Sequence, residues 1–161
     1  MNKDKLYRIR QVKRIVCGDT GAWCQLPYRN HPKGCPNYGK RNTCPPDAPH
    51  ISEVLDLEKP IYIAFSDFDL FSHMKRMSQK HPKWSVYQCR NVLYWQGTSK
   101  AEMRRRARIA KTIMGADTII ECAEGMGVNV YATCRHVGLK LEKIKNLKMC
   151  HHVALVGWGK R

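Results

Sequence analysis

One segment, residues 17–46, constrains the fold of this chain more than any other. It holds four cysteines, Cys17, Cys24, Cys35 and Cys44, separated by six, ten and eight residues. Glycine and proline recur between them, so regular helix or strand is not expected there. A segment of this composition buries too little apolar surface to offset the entropy that it loses on ordering. It therefore needs a further restraint.

Thiolate ligation of a metal would supply that restraint. Metal-binding free energy becomes folding free energy, about 10–16 kcal/mol in small structural zinc sites. Proline follows Cys35 and Cys44 directly, as in the Cys-Pro step of bacterial ferredoxins, and the closely spaced cysteine pairs of most zinc sites are missing. We predict a [4Fe–4S] cluster on Cys17, Cys24, Cys35 and Cys44, with zinc as the alternative cofactor.

Two features of the cysteine pattern leave the ligand set open. If Cys17 lies outside the site, three thiolates would leave one iron free to bind a substrate, and His31 is an alternative fourth ligand. One other group of potential ligands lies later in the chain, where the helix and strand patterns favour core positions for Cys122 and Cys134. Its members are Cys122, Cys134, Cys150, His151 and His152.

Two stretches of the sequence resemble a known family. Residues 34–40, Gly-Cys-Pro-Asn-Tyr-Gly-Lys, followed by Cys44-Pro45-Pro46, are similar to the amino-terminal signature of a family of predicted metal-binding proteins without an assigned function. Residues 124–131 resemble a later element of the same family. Larger members carry a second compact cysteine group ahead of that element, where this chain has only Cys122. The resemblance implies a metal site and leaves the reaction open.

The size and composition of the chain predict one folded domain, residues 1–161. Hydrophobic residues make up 43% of its 161 residues, enough for a core. The first residues lack the apolar run of a secretory signal, and no stretch is long and apolar enough to cross a membrane. We therefore expect a cytoplasmic protein without a membrane partner, whose cysteines are metal ligands or small core residues instead of disulfides.

The order of the predicted elements indicates an α/β fold. Apolar runs predict strands at 61–65, 86–95, 118–122 and 150–158, and helical patterns separate them at 70–80, 99–115 and 129–137. Alternation of strand and helix is typical of a mostly parallel sheet with flanking helices. We predict such a sheet, with residues 17–46 as a cysteine-rich, metal-bound loop on it.

An excess of basic residues predicts a polyanionic partner. Lysine and arginine exceed aspartate and glutamate to give a formal net charge of +16, which favours RNA or DNA. Arg104, Arg108 and Lys111 recur at helical spacing and would form a row of cations on one helix face. The predicted nucleic-acid-binding residues are these three together with Lys40 and Arg41 of the cysteine loop.

Two classes of function follow from these expectations. The first is a cluster-dependent enzyme that acts on nucleic acid or a nucleotide, with the helical cations holding phosphates. The second is a non-catalytic, zinc-stabilised module that binds nucleic acid or assists another protein. No Walker loop, dinucleotide-binding glycine pattern or serine–histidine–aspartate arrangement is present, so the sequence gives no support to kinase or hydrolase activity. The catalytic residues stay unassigned.

Overall fold

A computed structural model describes residues 8–161 of the chain. Its main sheet has four strands in the order β1-β2-β6-β4, and a small second sheet pairs β3 with β5. The strands are β1 (Ile9–Val12), β2 (Ile61–Phe65), β3 (Phe68–Asp69), β4 (Thr118–Ile120), β5 (Met149–Cys150) and β6 (Val153–Gly157).

Within residues 8–161, five α-helices and four short 3₁₀ helices connect and cover these strands. The α-helices are α1 (Ile51–Val54), α2 (Leu70–Lys80), α3 (Val86–Cys89), α4 (Gln96–Met114) and α5 (Val130–Arg135). The 3₁₀ helices are Thr20–Gln25, Val92–Tyr94, Ala123–Met126 and Ile144–Asn146. Among residues 8–161, no helix combines the length and the apolar character needed to span a membrane.

The prediction of a mostly parallel sheet is wrong, because every pairing in the main sheet is antiparallel. Strands β2 and β4 do run in the same direction, as a helical crossover between them would require. They are not neighbours, however: β6 lies between them and runs opposite to both. Because β6 lies between them, β2 and β4 each form an antiparallel pair with β6, and the expected parallel pair does not form.

The sequence misled about strand direction because both faces of the central strands are covered. Ile63 and Leu155 belong to one core cluster, whereas Ala64, Ala154 and Val156 belong to another on the opposite face. A strand buried on both faces is apolar throughout, and such runs are most familiar from parallel sheets. The apolar run reports burial on both faces and carries no information about the direction of the neighbouring strand.

Helix α4 covers one face of the sheet through small side chains. Ala107 and Ala110 are fully buried and Met103 is nearly so, and their spacing of three and four residues places them on one helix face. Small residues there let the helix approach the strands closely. The helix ends at Gly115, which has a φ angle of 69° as its C-cap, in agreement with the predicted helix end.

The predicted strand at residues 86–95 is wrong, since this stretch forms α3 and the 3₁₀ helix Val92–Tyr94. Ser85 starts α3 with a capping box: its hydroxyl accepts from the Gln88 amide, and the Gln88 side chain accepts from the Ser85 amide. Asn91 caps the 3₁₀ helix through the Leu93 amide. These local caps outweigh the β propensity of the valine and tyrosine residues between them.

Candidate metal centre

The cysteine loop folds as a succession of tight turns around one 3₁₀ helix, Thr20–Gln25. The Cys35 amide donates to the Cys24 carbonyl oxygen at 2.6 Å, which brings two of the predicted ligands side by side. Gly34 makes this approach possible. It is buried with a φ angle of +82°, and a Cβ atom there would lie 2.3 Å from the Cys24 carbonyl oxygen, so only glycine fits.

Hydrogen bonds attach the loop to the segment that follows strand β4. The Gly18 amide donates to Gly127 oxygen at 2.9 Å, and the Asn129 amide donates to Val16 oxygen at 2.8 Å. Thr20, 1% exposed, donates its hydroxyl proton to the Glu124 carbonyl oxygen at 2.6 Å. The 3₁₀ helix Ala123–Met126 is therefore held against the loop.

A second glycine brings the opposite part of the loop to the same segment. A Cβ atom on Gly125 would lie 3.0 Å from the Thr43 carbonyl oxygen and 3.9 Å from the Cys44 Cα atom. The Gly125 amide donates to the Cys122 carbonyl oxygen at 3.1 Å. Cys122 thereby stands on the segment against which Cys44 packs.

The contacts of Gly34 and Gly125 bring together the backbone segments that carry four cysteines. Desolvation raises the pKa of the Cys24 thiol, and Cys35, Cys44, Glu124 and Cys122 raise it further. Desolvation also raises the pKa of Cys122, with contributions from Glu124, Cys44 and Glu121, while Lys100 opposes them. Cys24, Cys35, Cys44 and Cys122 are named here the four-thiol group.

The four-thiol group is not drawn together as a coordination site. Within residues 8–161, no three or more histidine, cysteine, aspartate or glutamate side chains stand in an arrangement that could hold a metal ion. All eight cysteines are free thiols. Binding of a metal by these thiols would therefore have to draw their side chains inward.

Cys17, the first predicted ligand, lies at the edge of this region. It is exposed, and its backbone forms an isolated β-bridge with Val128. In the described part of the chain, no hydrogen bond joins it to Cys24, Cys35 or Cys44. The predicted core position is wrong for Cys122, because this residue is exposed. The one signal that could have found Cys122 is its place just before the Gly-Met-Gly-Val-Asn stretch.

The remaining cysteines of the later group are core residues. Cys134 is fully buried, and burial raises its pKa to about 12. Cys150 is 8% exposed, burial raises its pKa to about 11, and its sulfur lies 3.8 Å from His152 Nδ1. The predicted core position is correct for Cys134.

The predicted nucleic-acid-binding residues do not form one continuous row. Arg104 pairs with Glu121 through a 2.9 Å contact between Nε and Oε2, whereas Arg108 is exposed one turn further along α4 and Lys111 is half-buried. Lys40 and Arg41 are exposed on the loop. Of the five, Arg41 and Arg104 line a common cavity. Nucleic-acid binding stays a prediction.

That cavity, of about 670 Å³, opens beside the four-thiol group. Cys122 and Glu124 form the wall next to the cysteine loop, and Lys100 and Arg104 of α4 form another. The apolar part of its lining comprises Met103, Ile119, Ile120, Met126, Val130, Leu141, Ile144, Leu147 and Val153. Glu124 is an exposed residue that borders the cavity, and desolvation by the neighbouring protein raises its pKa.

Two serines orient a histidine in the wall of the cavity. His152 Nδ1 lies 2.8 Å from Ser99 Oγ, and Ser99 Oγ lies 2.8 Å from Ser66 Oγ. Ser66 Oγ in turn accepts from the His152 amide at 2.9 Å. Both serines are 1% exposed. This closed circuit engages Nδ1 of His152 and leaves Nε2 as the ring nitrogen available to a ligand.

The buried position of His152 makes stability depend on pH. Burial lowers its pKa to about 4 from 6.5, with contributions from the positive charges of Lys100 and Arg104. The unfolded chain therefore binds the proton first as the pH falls. We expect this group alone to remove on the order of 2 kcal/mol from the free energy of unfolding between pH 6.5 and 4.

Urea titrations of the His152→Asn variant test this expectation. Asparagine retains an acceptor for Ser99 and does not titrate. The free energy of unfolding of the variant should therefore fall less between pH 6.5 and 4 than that of the unmodified protein. His136→Asn, at an exposed position on the C-terminal side of α5, is the control and should keep the original dependence. Equal pH dependence in all three proteins would contradict the assignment.

Comparisons with protein-family models, with curated proteins and with solved structures gave no match in any of the three. The resemblance to the family of predicted metal-binding proteins is not tested by them. The function is therefore argued from the residues of this chain, with the four-thiol group and its adjoining cavity as the candidate site.

Proposed function

We propose that the chain is a metalloprotein whose four-thiol group holds one [4Fe–4S] cluster. The observation that carries the proposal is the packing of the loop that holds Cys24, Cys35 and Cys44 against the distant segment that holds Cys122, through the contact of Gly125 with the Thr43 and Cys44 backbone. Cys122 takes the place that the sequence pattern gave to Cys17. Four thiolates are the ligand set that such clusters most often use.

The surroundings of the four thiols fit a bulky inorganic group. The loop is built from turns, and its close approaches are made by Gly34 and Gly125, so the backbone can pass tightly around a cluster. Two chain segments supply the ligands, and hydrogen bonds from Gly18 and Thr20 already join those segments. Ligation would therefore lock together parts of the chain that the fold has brought close. The binding free energy would add directly to stability.

The cavity beside Cys122 favours a role in chemistry over a purely structural one. A bound cluster would supply electron transfer or, if one iron lacked a thiolate, a Lewis-acid position. The chain itself provides a space of about 670 Å³ beside Cys122, bordered by Lys100, Arg104 and His152. We propose a cluster-dependent enzyme whose substrate is a nucleotide or nucleic acid, as the net charge of +16 favours.

The alternative is a zinc-stabilised module that binds nucleic acid through its basic surface. Exposed cations such as Lys40 and Arg108 favour it. The same four thiols would serve as ligands, since zinc also accepts four cysteines. The two candidates differ in the metal that the purified protein contains and in whether replacing that metal abolishes activity or leaves nucleic-acid affinity intact.

Anaerobic purification followed by visible absorption and by iron, sulfide and zinc analysis tests the proposal. We expect a brown protein with about four irons and four sulfides per chain. A colourless protein with about one zinc per chain would replace the enzyme proposal by the binding module. A protein that takes up neither metal after anaerobic reconstitution would overturn both.

A further inference from the structure

Lys100 lies in the cavity without a carboxylate partner. It is half-buried, and among residues 8–161 no ion pair includes it. Of the three acidic residues that line the cavity, two are engaged elsewhere: Glu121 pairs with Arg104, and the Glu142 carboxylate accepts from two backbone amides, at 2.6 and 3.0 Å. The third, Glu124, forms no ion pair with Lys100 within residues 8–161. A partly desolvated ammonium group without a counterion favours the binding of an anion.

His152 lines the same cavity as this ammonium group. Ser99, the residue before Lys100, places its Oγ atom 2.8 Å from His152 Nδ1, and Lys100, Cys122 and His152 all line the cavity. The hydrogen bonds can be oriented so that the Ser66 hydroxyl donates to Ser99 Oγ and the Ser99 hydroxyl donates to His152 Nδ1. In this orientation the ring proton of His152 is on Nε2, which is then a hydrogen-bond donor beside Lys100.

The rest of the cavity lining is suited to an apolar body. Met103 and Met126 are nearly buried residues whose side chains border the cavity, together with Val130 and Leu147. Methionine side chains adapt to varied apolar shapes. The volume of about 670 Å³ lies in the range of pockets that bind small organic molecules. A cavity that is lined by both charged and apolar side chains suits an amphiphilic ligand.

We propose that this cavity binds a small organic anion, with a carboxylate or phosphate group contacting Lys100 and His152 Nε2 and an apolar or aromatic body against the methionine side chains. Arg41 and Arg104, at the border of the cavity, add positive charge that attracts the anion without contacting it directly. The bound molecule would lie beside Cys122, hence beside the proposed cluster. The inference goes beyond the proposed function, because binding of the anion requires only side chains of the protein.

Calorimetric titration of the full-length protein, as purified anaerobically, tests this site. The probes are phenyl phosphate and benzoate, which share the anion and the aromatic body, with benzyl alcohol as the neutral counterpart. We expect saturable binding of at least one anion with one site per chain, and none of benzyl alcohol at the same concentration. The stronger of the two anions identifies the acidic group that the site prefers.

Two single-charge variants of α4 separate a specific site from a general positive field. Lys100→Gln should weaken binding of the preferred anion by about tenfold or more, as loss of a charge-assisted contact implies. Arg108→Gln removes one charge from an exposed position outside the cavity, and it should change affinity by less than about twofold. Circular dichroism of both variants confirms that they remain folded.

Equal weakening by the two variants, or no saturable binding of either anion at millimolar concentration, would overturn the proposed site. Metal analysis of the same samples keeps this result apart from the proposed function. Anion binding with the expected loss in Lys100→Gln supports the site even in a protein without iron. Failure of both anions to bind a fully loaded protein rejects the site and leaves the cluster in place.

Discussion

Replacing Cys122 by serine is expected to remove the cluster, whereas replacing Cys17 by serine is expected to leave it. Cys122 stands on the segment against which Cys44 packs, whereas Cys17 lies in a backbone bridge with Val128. Serine keeps the volume and removes the soft ligand. Iron per chain should fall from about four to three or fewer in Cys122→Ser, with loss or change of the visible absorption.

The Cys17→Ser variant is the matched control, since it removes one exposed thiol from the same region. Cys24→Ser is the positive control and should behave as Cys122→Ser does. The measurements are iron and sulfide content and absorption spectra of proteins purified anaerobically in parallel. A cluster retained in Cys122→Ser and lost in Cys17→Ser would restore Cys17 as the fourth ligand and reject Cys122.

Replacing Gly34 by alanine is expected to disrupt the cysteine loop as severely as loss of a ligand. The new Cβ atom would meet the Cys24 carbonyl oxygen at 2.3 Å, and the φ angle of +82° is unfavourable for alanine. Backbone atoms cannot move aside as a flexible side chain can. Steric overlap and strain together should destabilise the loop by about 3 kcal/mol, and the variant should bind less than half the iron of the unmodified protein.

Gly18→Ala provides the control for this substitution within the same loop. No atom lies within 4 Å of the position that its Cβ would occupy, so stability and iron content should stay close to those of the unmodified protein. Both variants are compared by metal analysis and by the rate of proteolysis of the native protein. The same iron content and proteolysis rate in Gly34→Ala and Gly18→Ala would show that the close approach of Cys24 and Cys35 is not needed.

The parts of the fold that sequence could predict are those decided by local patterns. The strand at Ile61–Phe65 was recognised from its apolar run, and the end of α4 from Gly115. Helix α4 starts at Gln96, earlier than the predicted start near Ser99, and Ser99 is instead a buried residue that contacts His152. A polar side chain that resembles a helix cap can also serve a buried hydrogen-bond network, and local sequence does not distinguish the two.

The parts that sequence could not predict depend on long-range pairing. The insertion of β6 between β2 and β4 is set by how the chain returns to the sheet, and no local pattern encodes it. Cys122 reaches the cysteine loop only because Gly125 packs against Cys44 and Thr20 binds the Glu124 backbone. The amino-terminal cysteines lie close together in sequence, which marks them as candidate ligands. A candidate ligand from a distant segment forms no such sequence pattern.

Anomalous diffraction at the iron absorption edge, from crystals of the anaerobically purified protein, would locate the cluster and its ligands. We expect one compact iron peak bonded to the sulfur atoms of Cys24, Cys35, Cys44 and Cys122, at about the 2.3 Å expected of metal–thiolate bonds. An iron peak bonded to Cys17 in place of Cys122, or no iron among these four sulfur atoms, would contradict this expectation.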